Sequence, residues 1–431
     1  MKIIVILEKK LKILVLLLLF ISVSGYSQWV CRSKLGAHLK PFKKDFPLLW
    51  AAEVTLGHGY MTDERQITNA MVFATLDYSW KKHQIYVEGG MKAWRNTYKG
   101  PGQYNGEPEG GFGFFQKQRF GIRDAFYRYK KDDNTIVVGF QQFTLGDYFL
   151  VNERALGLSY KNTFGSWDIN VNGASVLKDF SRFGTFCSVN YLYNTIRDRV
   201  YPVLGESIGE TNFAAVVATW TPKEKKAEAS DDEFGEFNEF AEKPKNRIFK
   251  NASLIGYTEF GTLIPEMRYH FGANSLFEFP FKIKLKLEVL NQTITDNNAL
   301  IYYINLAKTF NFGSKGQSFI NLKYYGKYNI DENAMAYASF SNLFIGEVMR
   351  MDMMDMPLYQ VAFKHRVPKW KSQIKIQFTQ QFYYQHISEF DVAIGKTFFH
   401  HAKLTIMGSR MLADDLDDVL YMIRAEMRVT F

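Results

Sequence analysis

The last eleven residues, Tyr421-Met422-Ile423-Arg424-Ala425-Glu426-Met427-Arg428-Val429-Thr430-Phe431, decide the fold. Taken alternately, Tyr421, Ile423, Ala425, Met427, Val429 and Phe431 fall on one face. Met422, Arg424, Glu426, Arg428 and Thr430 fall on the other. Side chains along a β-strand alternate with a period of two, so this is a strand with one apolar and one mostly charged face. A strand that faces lipid on one side and a polar lumen on the other needs this division.

The opposite end of the chain sets the compartment. Lys9, Lys10 and Lys12 precede an apolar core from Ile13 to Val23, and Gly25 and Ser27 follow at a cleavage spacing. Residues 1–27 therefore read as a secretory signal peptide. The core is shorter than the roughly 20 apolar residues of a retained membrane helix. Cys31 lies too far beyond Val23 to serve as a lipidation site. Removing the leader lowers the formal charge from +9 to about +6. No other stretch approaches a membrane-spanning helix. An exported chain of this kind is soluble or spans a membrane as a closed barrel, because both satisfy the backbone hydrogen bonds. Aromatic residues at 16% and only 11 Pro suit a strand-rich chain with Tyr and Phe available for interfacial girdles.

Between these ends the alternation repeats. Phe281, Ile283, Leu285, Leu287 and Val289 oppose Lys282, Lys284, Lys286 and Glu288. Ile320, Leu322, Tyr324 and Tyr328 oppose Asn321, Lys323, Tyr325 and Lys327, and Ile374, Ile376 and Phe378 oppose Gln373, Lys375, Gln377 and Thr379. Further strands are predicted near 50–60, 66–80, 84–96, 119–130, 135–143, 154–162, 167–176, 184–193, 210–221 and 248–262. Others follow near 298–310, 334–346, 357–367, 388–398 and 402–411. Polar turns such as Lys131-Asp132-Asp133-Asn134 separate them. The expected fold is all-β: a transmembrane antiparallel up-and-down barrel of about 18 strands (16–20). It occupies residues 49–431, after a basic periplasmic leader at 28–48 that hangs as a solvated arm, the favoured reading, or tucks into the barrel mouth. Residues 222–246 break the pattern. Seven acidic and no basic residues lie between Glu228 and Glu242, as expected of a solvated, disordered loop.

Two resemblances add to this reading. The terminal strand resembles the closing strand of Gram-negative outer-membrane β-barrels. The resemblance implies that Tyr421, Ile423, Met427, Val429 and Phe431 form the signal read by the barrel-insertion machinery. Residues 119–151 resemble a hairpin of the porin superfamily. There an R-x-A-aromatic strand, here Arg123, Asp124, Ala125 and Phe126, precedes a V-G-R-Q strand, here Val138, Gly139, Phe140 and Gln141. Phe140 stands where that motif has Arg, so a lumen arginine is not carried over to it. Gly146, Asp147 and Arg154 to Gly157 also resemble alginate-export barrels. These likenesses imply a channel or conduit in the cell outer membrane.

No catalytic, cofactor or metal site is expected. The chain has no CxxC, HExxH or HxH; adjacent His400-His401 would point to opposite faces on a strand and sit where a tight turn is expected. The Gly-rich stretch Thr97–Lys117 carries no phosphate-loop pattern. No Gly-x-Ser-x-Gly occurs. The Met-rich run Met349–Met356 suits an adaptable apolar contact better than soft-metal capture. Cys31 and Cys187 are two residues whose proximity sequence does not give.

The functional content lies in the polar face. Lys282, Lys284, Lys286, Lys323, Lys327, Lys375, Arg424 and Arg428 all oppose apolar stripes, and with those stripes in lipid they line the lumen. The competing reading pairs each with a carboxylate such as Glu288 or Glu426. The expected function is a porin-like channel for passive diffusion of small hydrophilic solutes, with mild preference for anions. The alternative is an accessory barrel of an outer-membrane secretion or assembly complex, with outer-membrane protein partners held by the acidic and Met-rich loops. A barrel hydrolase ranks last. Outer-membrane lipid and the insertion machinery are expected partners, and nucleic acid is not.

Overall fold

A computed structural model describes residues 35, 38–43, 46–62, 66–96, 117–146, 150–177, 205, 207–222, 248–264, 266–313, 316–331, 334, 357–382, 386–399, 401–414 and 419–431. The signal peptide, both cysteines, the acidic loop beyond residue 222 and the Met-rich run lie outside the described residues.

A two-residue strand β1 (Lys40–Pro41) precedes β2 (Leu48–Met61), β3 (Gln66–Trp80), β4 (His83–Asn96), β5 (Lys117–Lys131), β6 (Asn134–Leu145) and β7 (Val151–Phe164). Then come β8 (Trp167–Ser175), β9 (Asn212–Trp220), β10 (Phe249–Phe260), β11 (Arg268–Phe279), β12 (Ile283–Ile294) and β13 (Asn297–Asn311). The wall is completed by β14 (Gln317–Asn329), β15 (Leu358–Val367), β16 (Ser372–Gln381), β17 (Ile387–Phe398), β18 (Ala402–Ala413) and β19 (Leu420–Thr430). From β2 onward each strand pairs antiparallel with its sequence neighbours, and β19 pairs back onto β2. The result is a closed barrel of 18 strands, with β1 added at the rim. Closure leaves no unpaired edge, the condition for β-structure in a membrane.

Sequence alternation sets which side faces out. On β3, Asn69, Met71, Phe73, Thr75 and Asp77 are buried while Val72, Ala74, Leu76 and Tyr78 are exposed. On β19, Met422, Arg424 and Glu426 are buried, and Tyr421 and Ile423 are exposed. The exposed side is an aliphatic belt: Leu76, Val87, Leu254, Ile304, Val361, Ile394 and Ile406 among others. Aromatic rings flank it. Tyr78, Trp80 and His83 form a chain of ring contacts at one end, and Tyr359 and Phe382 touch at the other. An apolar band between aromatic girdles is the outer surface a bilayer covers.

The two ends differ. Hairpins at Lys81-Lys82, Asp132-Asp133 and Gly165-Ser166 need two residues each. Both the start of β2 and Phe431 lie at this short-turn end. Phe431 donates its backbone N–H to the Ala52 carbonyl at 2.8 Å, and Ala52 returns the bond at 3.4 Å. The longer connections after β4, β8 and β14 lie at the other end. The stretch between β9 and β10, which includes the acidic run, is the exception, because it joins strands at the short-turn end.

β8 pairs directly with β9, and β14 with β15. The strands expected at 184–193 and, beyond Ala334, at 335–346 lie outside the described residues. Two details differ from the sequence reading. The strand Arg268–Phe279 was not predicted. Its inward Gly272 and Asn274 and outward Ala273 and Ser275 blur the hydrophobic contrast on both faces. The leader is not simply a solvated arm. Leu35 is buried against Ala51, Met71 and Phe73, all on the inner face of β2 and β3, with Leu39 beside them. Residues Lys40–Pro41 pair with Trp50 and Leu49, which folds the leader back onto the rim.

Candidate functional site: the inner wall of the barrel

The inner wall is organised on one side around Glu88. Glu88 lies opposite Asp124, and the register between β4 and β5 shifts between Glu88 and Gly89. In a regular strand, sequence neighbours point to opposite faces. The bulge re-aims a side chain, and both Arg123 and Asp124 end up buried. Arg123 makes an ion pair with Glu88 and lays its guanidinium 3.8 Å from the centre of the Phe73 ring. Thr75 Oγ1 donates to Glu88 Oε2 at 2.9 Å, and the Tyr86 hydroxyl donates to the same oxygen at 2.7 Å. Asp124 accepts two bonds from Arg154 of β7, Nε to Oδ1 at 3.1 Å and Nη2 to Oδ2 at 3.3 Å. A bidentate guanidinium–carboxylate pair fixes orientation as well as charge. Two ion pairs thus tie β4 to β5 and β5 to β7.

This explains the hairpin that drew attention in the sequence. Arg123 and Asp124 are its two charged anchors. Gly139 lies opposite Phe126 with φ of +129°, and a Cβ there would stand 2.4 Å from the Ala125 carbonyl oxygen. Only glycine fits. Glu88, the acceptor at the centre, was not singled out in the sequence. Its only signal there was its place in the alternation of β4, on the face of Tyr86 and Gln84.

Seven of the eight cations predicted to line the lumen share the buried, inward-facing side of their strands. Lys284 and Lys286 lie on the side of Glu288, Lys323 and Lys327 on that of Tyr325, and Lys375 on that of Gln377. Arg424 and Arg428 share the inner face of β19. Lys282 does not belong to this set. It sits in the turn Pro280–Lys282 with φ of 59°, where the strand alternation no longer applies. Pairing with carboxylates occurs as well. Lys286 Nζ is 3.7 Å from Glu288, Lys284 Nζ 4.0 Å from Glu278, and Arg428 3.6 Å from both Glu53 and Glu426. In these pairs the cation stands further out than its partner: the Lys284 and Lys286 side chains are 54% and 24% exposed, those of Glu278 and Glu288 35% and 0%.

Two cross-strand pairs bring like charges together. Lys364 faces Lys375 across β15 and β16, and Lys403 faces Arg428 across β18 and β19. Like charges directly opposite are unfavourable, and at Arg428 the carboxylates of Glu53 and Glu426 offset this. The inner wall also carries an apolar cluster. Phe143, Phe213, Tyr257, Leu290, Tyr303 and Tyr325 form a continuous buried cluster running from β6 to β14, with Phe143–Phe213 in edge contact at 5.3 Å. Leu150 and Ala334, which flank strands at the loop end, join it. The apolar, aromatic cluster and buried charges therefore share strands: Glu259, Arg268, Lys286 and Glu288 stand on β10 to β12 beside it. Of the residues expected to form an insertion signal, Tyr421, Ile423 and Phe431 are exposed on the outer surface.

Solved structures share this architecture. The Pseudomonas aeruginosa channel OccK9 (OpdG) superposes with a TM-score of 0.54 at 9% identity, covering 91% of this chain and 100% of that one. Pseudomonas aeruginosa OpdQ gives 0.53 at 10% identity, covering 90% and 99%. Pseudomonas aeruginosa OprD gives 0.53 at 9%, covering 92% and 97%. The chain has the porin-type barrel fold. No family model and no curated sequence matches it. Similarity at this level of identity establishes architecture. It transfers no residue role, so the function of this porin-type barrel rests on its own wall.

Proposed function

We propose that the protein is an outer-membrane channel through which small hydrophilic solutes diffuse passively, with mild preference for anions. A closed barrel with an apolar, aromatic-girdled outside suits an outer-membrane location. The fold likeness to OccK9, OpdQ and OprD supports a channel. The observation that carries the anion preference is the depth order of the inner charges. Glu288 and Glu426 are buried, while Lys286 and Arg428 beside them are more exposed, as Lys284 is beside Glu278. The field offered to a passing solute is then positive.

Reversal potentials in planar bilayers under a KCl gradient test this. Chloride is expected to be favoured, and Lys364→Glu with Lys375→Glu is expected to move selectivity toward potassium. Cation preference in the unaltered protein would sink the anion claim. Absence of conductance from a correctly folded, inserted barrel would sink the channel itself. The accessory-subunit alternative depended on the acidic and Met-rich loops and gains nothing from the described residues.

A further inference from the structure

We propose that the outer face of the closing seam carries a binding site for an anionic, phosphate-headed lipid. The proposal rests on the outer surface lying in a bilayer and is independent of what passes through the lumen. Gly408 of β18 faces outward between Val392 of β17 and Ile423 of β19. With no side chain there, an apolar trough of about 390 Å³ opens over β17, β18, β19 and the end of β2. Phe390, Tyr421 and Tyr60 wall it. That volume is in the range of small-molecule sites, and its apolar lining suits an acyl chain.

One end of the trough is charged. Arg410 lines it two residues along β18 toward the loop end, cross-strand to Phe390 and Tyr421. Arg410 is exposed and outward-facing, and it makes no hydrogen bond or ion pair with the described residues. It sits level with aromatic rings, the depth at which head groups meet the hydrocarbon. An arginine there presents a planar fork of donors that matches phosphate oxygens. The geometry is that of one lipid: an acyl chain in the trough over Gly408, its phosphate at Arg410. A second copy of the barrel is the other occupant of such a face. It would bury the Arg410 charge, which is costly unless a counter-charge comes with it. An anionic lipid brings that charge.

The test uses the full chain in detergent, exposed to phosphatidylglycerol or to phosphatidylcholine with the same acyl chains, and read by native mass spectrometry. Phosphatidylglycerol adducts are expected to be retained preferentially. Arg410→Glu should weaken them roughly ten-fold or more, as for loss of one charge-assisted contact. Gly408→Leu should reduce adducts of both lipids by filling the trough. A Cβ at that position would meet only the Met422 carbonyl oxygen, at 3.7 Å, so the wall accommodates it. Both variants should keep the heat-dependent gel shift of the parent, which shows that the barrel is folded. Equal retention of the two lipids, or adducts indifferent to Arg410→Glu, would overturn the proposal. Disulfide-linked oligomers formed in the membrane through Gly408→Cys would also overturn it and assign the face to a second copy.

Discussion

Glu88 accepts bonds from Thr75, Tyr86 and Arg123, side chains from three different strands. Each donor is inward-facing and nearly water-free, so the carboxylate and the guanidinium depend on one another. Removing one partner of a buried pair costs about 3–5 kcal/mol, because the other is left as an uncompensated charge. Glu88→Ala should therefore lower barrel stability by about that amount. Denaturant titration in micelles, followed by the heat-dependent gel shift of folded barrels, measures it. Replacing Glu88 and Arg123 together by apolar residues should cost less than the single change, since no buried charge remains. The sequence did not show this cluster. Alternation places Glu88 on the inner face, but its partner comes from a strand beyond a long loop and through a bulge. Register shifts of that kind leave no mark in composition. The cations of β12, β14 and β16 were visible because each alternates with a regular apolar stripe on the opposite face, which needs no knowledge of the neighbouring strand.

The same division holds for elements. β19 was readable from its own eleven residues, since large apolar side chains stand at every outward position but Ala425. β11 was not, because Gly272, Ala273, Asn274 and Ser275 are small or polar on both faces and the wall supplies the pairing that local preference lacks. The leader was open between a solvated arm and a segment tucked into the barrel mouth. Its basic residues favoured the arm, while the residue that packs is the lone Leu35, against Phe73. At this scale the seam gives a prediction. Deleting Phe431 removes both backbone bonds to Ala52 and one exposed aromatic side chain. Assembly into membranes should slow, and barrels that do form should keep their conductance. Pulse-chase insertion with the truncated chain checks this, and insertion at the normal rate would contradict it.

For the whole molecule, the arrangement of charge matters more than its total. The formal charge of +9 says little about the lumen, because outward and rim residues contribute to it. The depth order of carboxylates and cations sets the local field instead, and sequence carries no depth. Since a field of this kind is screened over about 10 Å at 0.1 M salt and about 3 Å at 1 M, anion preference should fall as salt rises. Reversal potentials at the two concentrations would show it. Preference that does not change with salt would point to sieving by width. The apolar cluster from Phe143 to Tyr325 is itself uncharged, so any retention of solutes by it should persist at high salt.

The reciprocal bonds between Phe431 and Ala52 make the wall a ring, and a ring has no first strand. Nothing in the ladder distinguishes the seam from the other hairpins, apart from the covalent break. Joining residue 431 to residue 48 through a short linker, and opening the chain between Lys81 and Lys82, would place the same strands in the same neighbourhoods with a different last strand. Such a permuted chain should be as stable as the parent once assembled, by the same gel shift. If its delivery to the membrane fails while its folded stability is intact, the terminal aromatic strand acts as an address. If both survive, the strand is only masonry, and the position of the break in the gene is an accident of history.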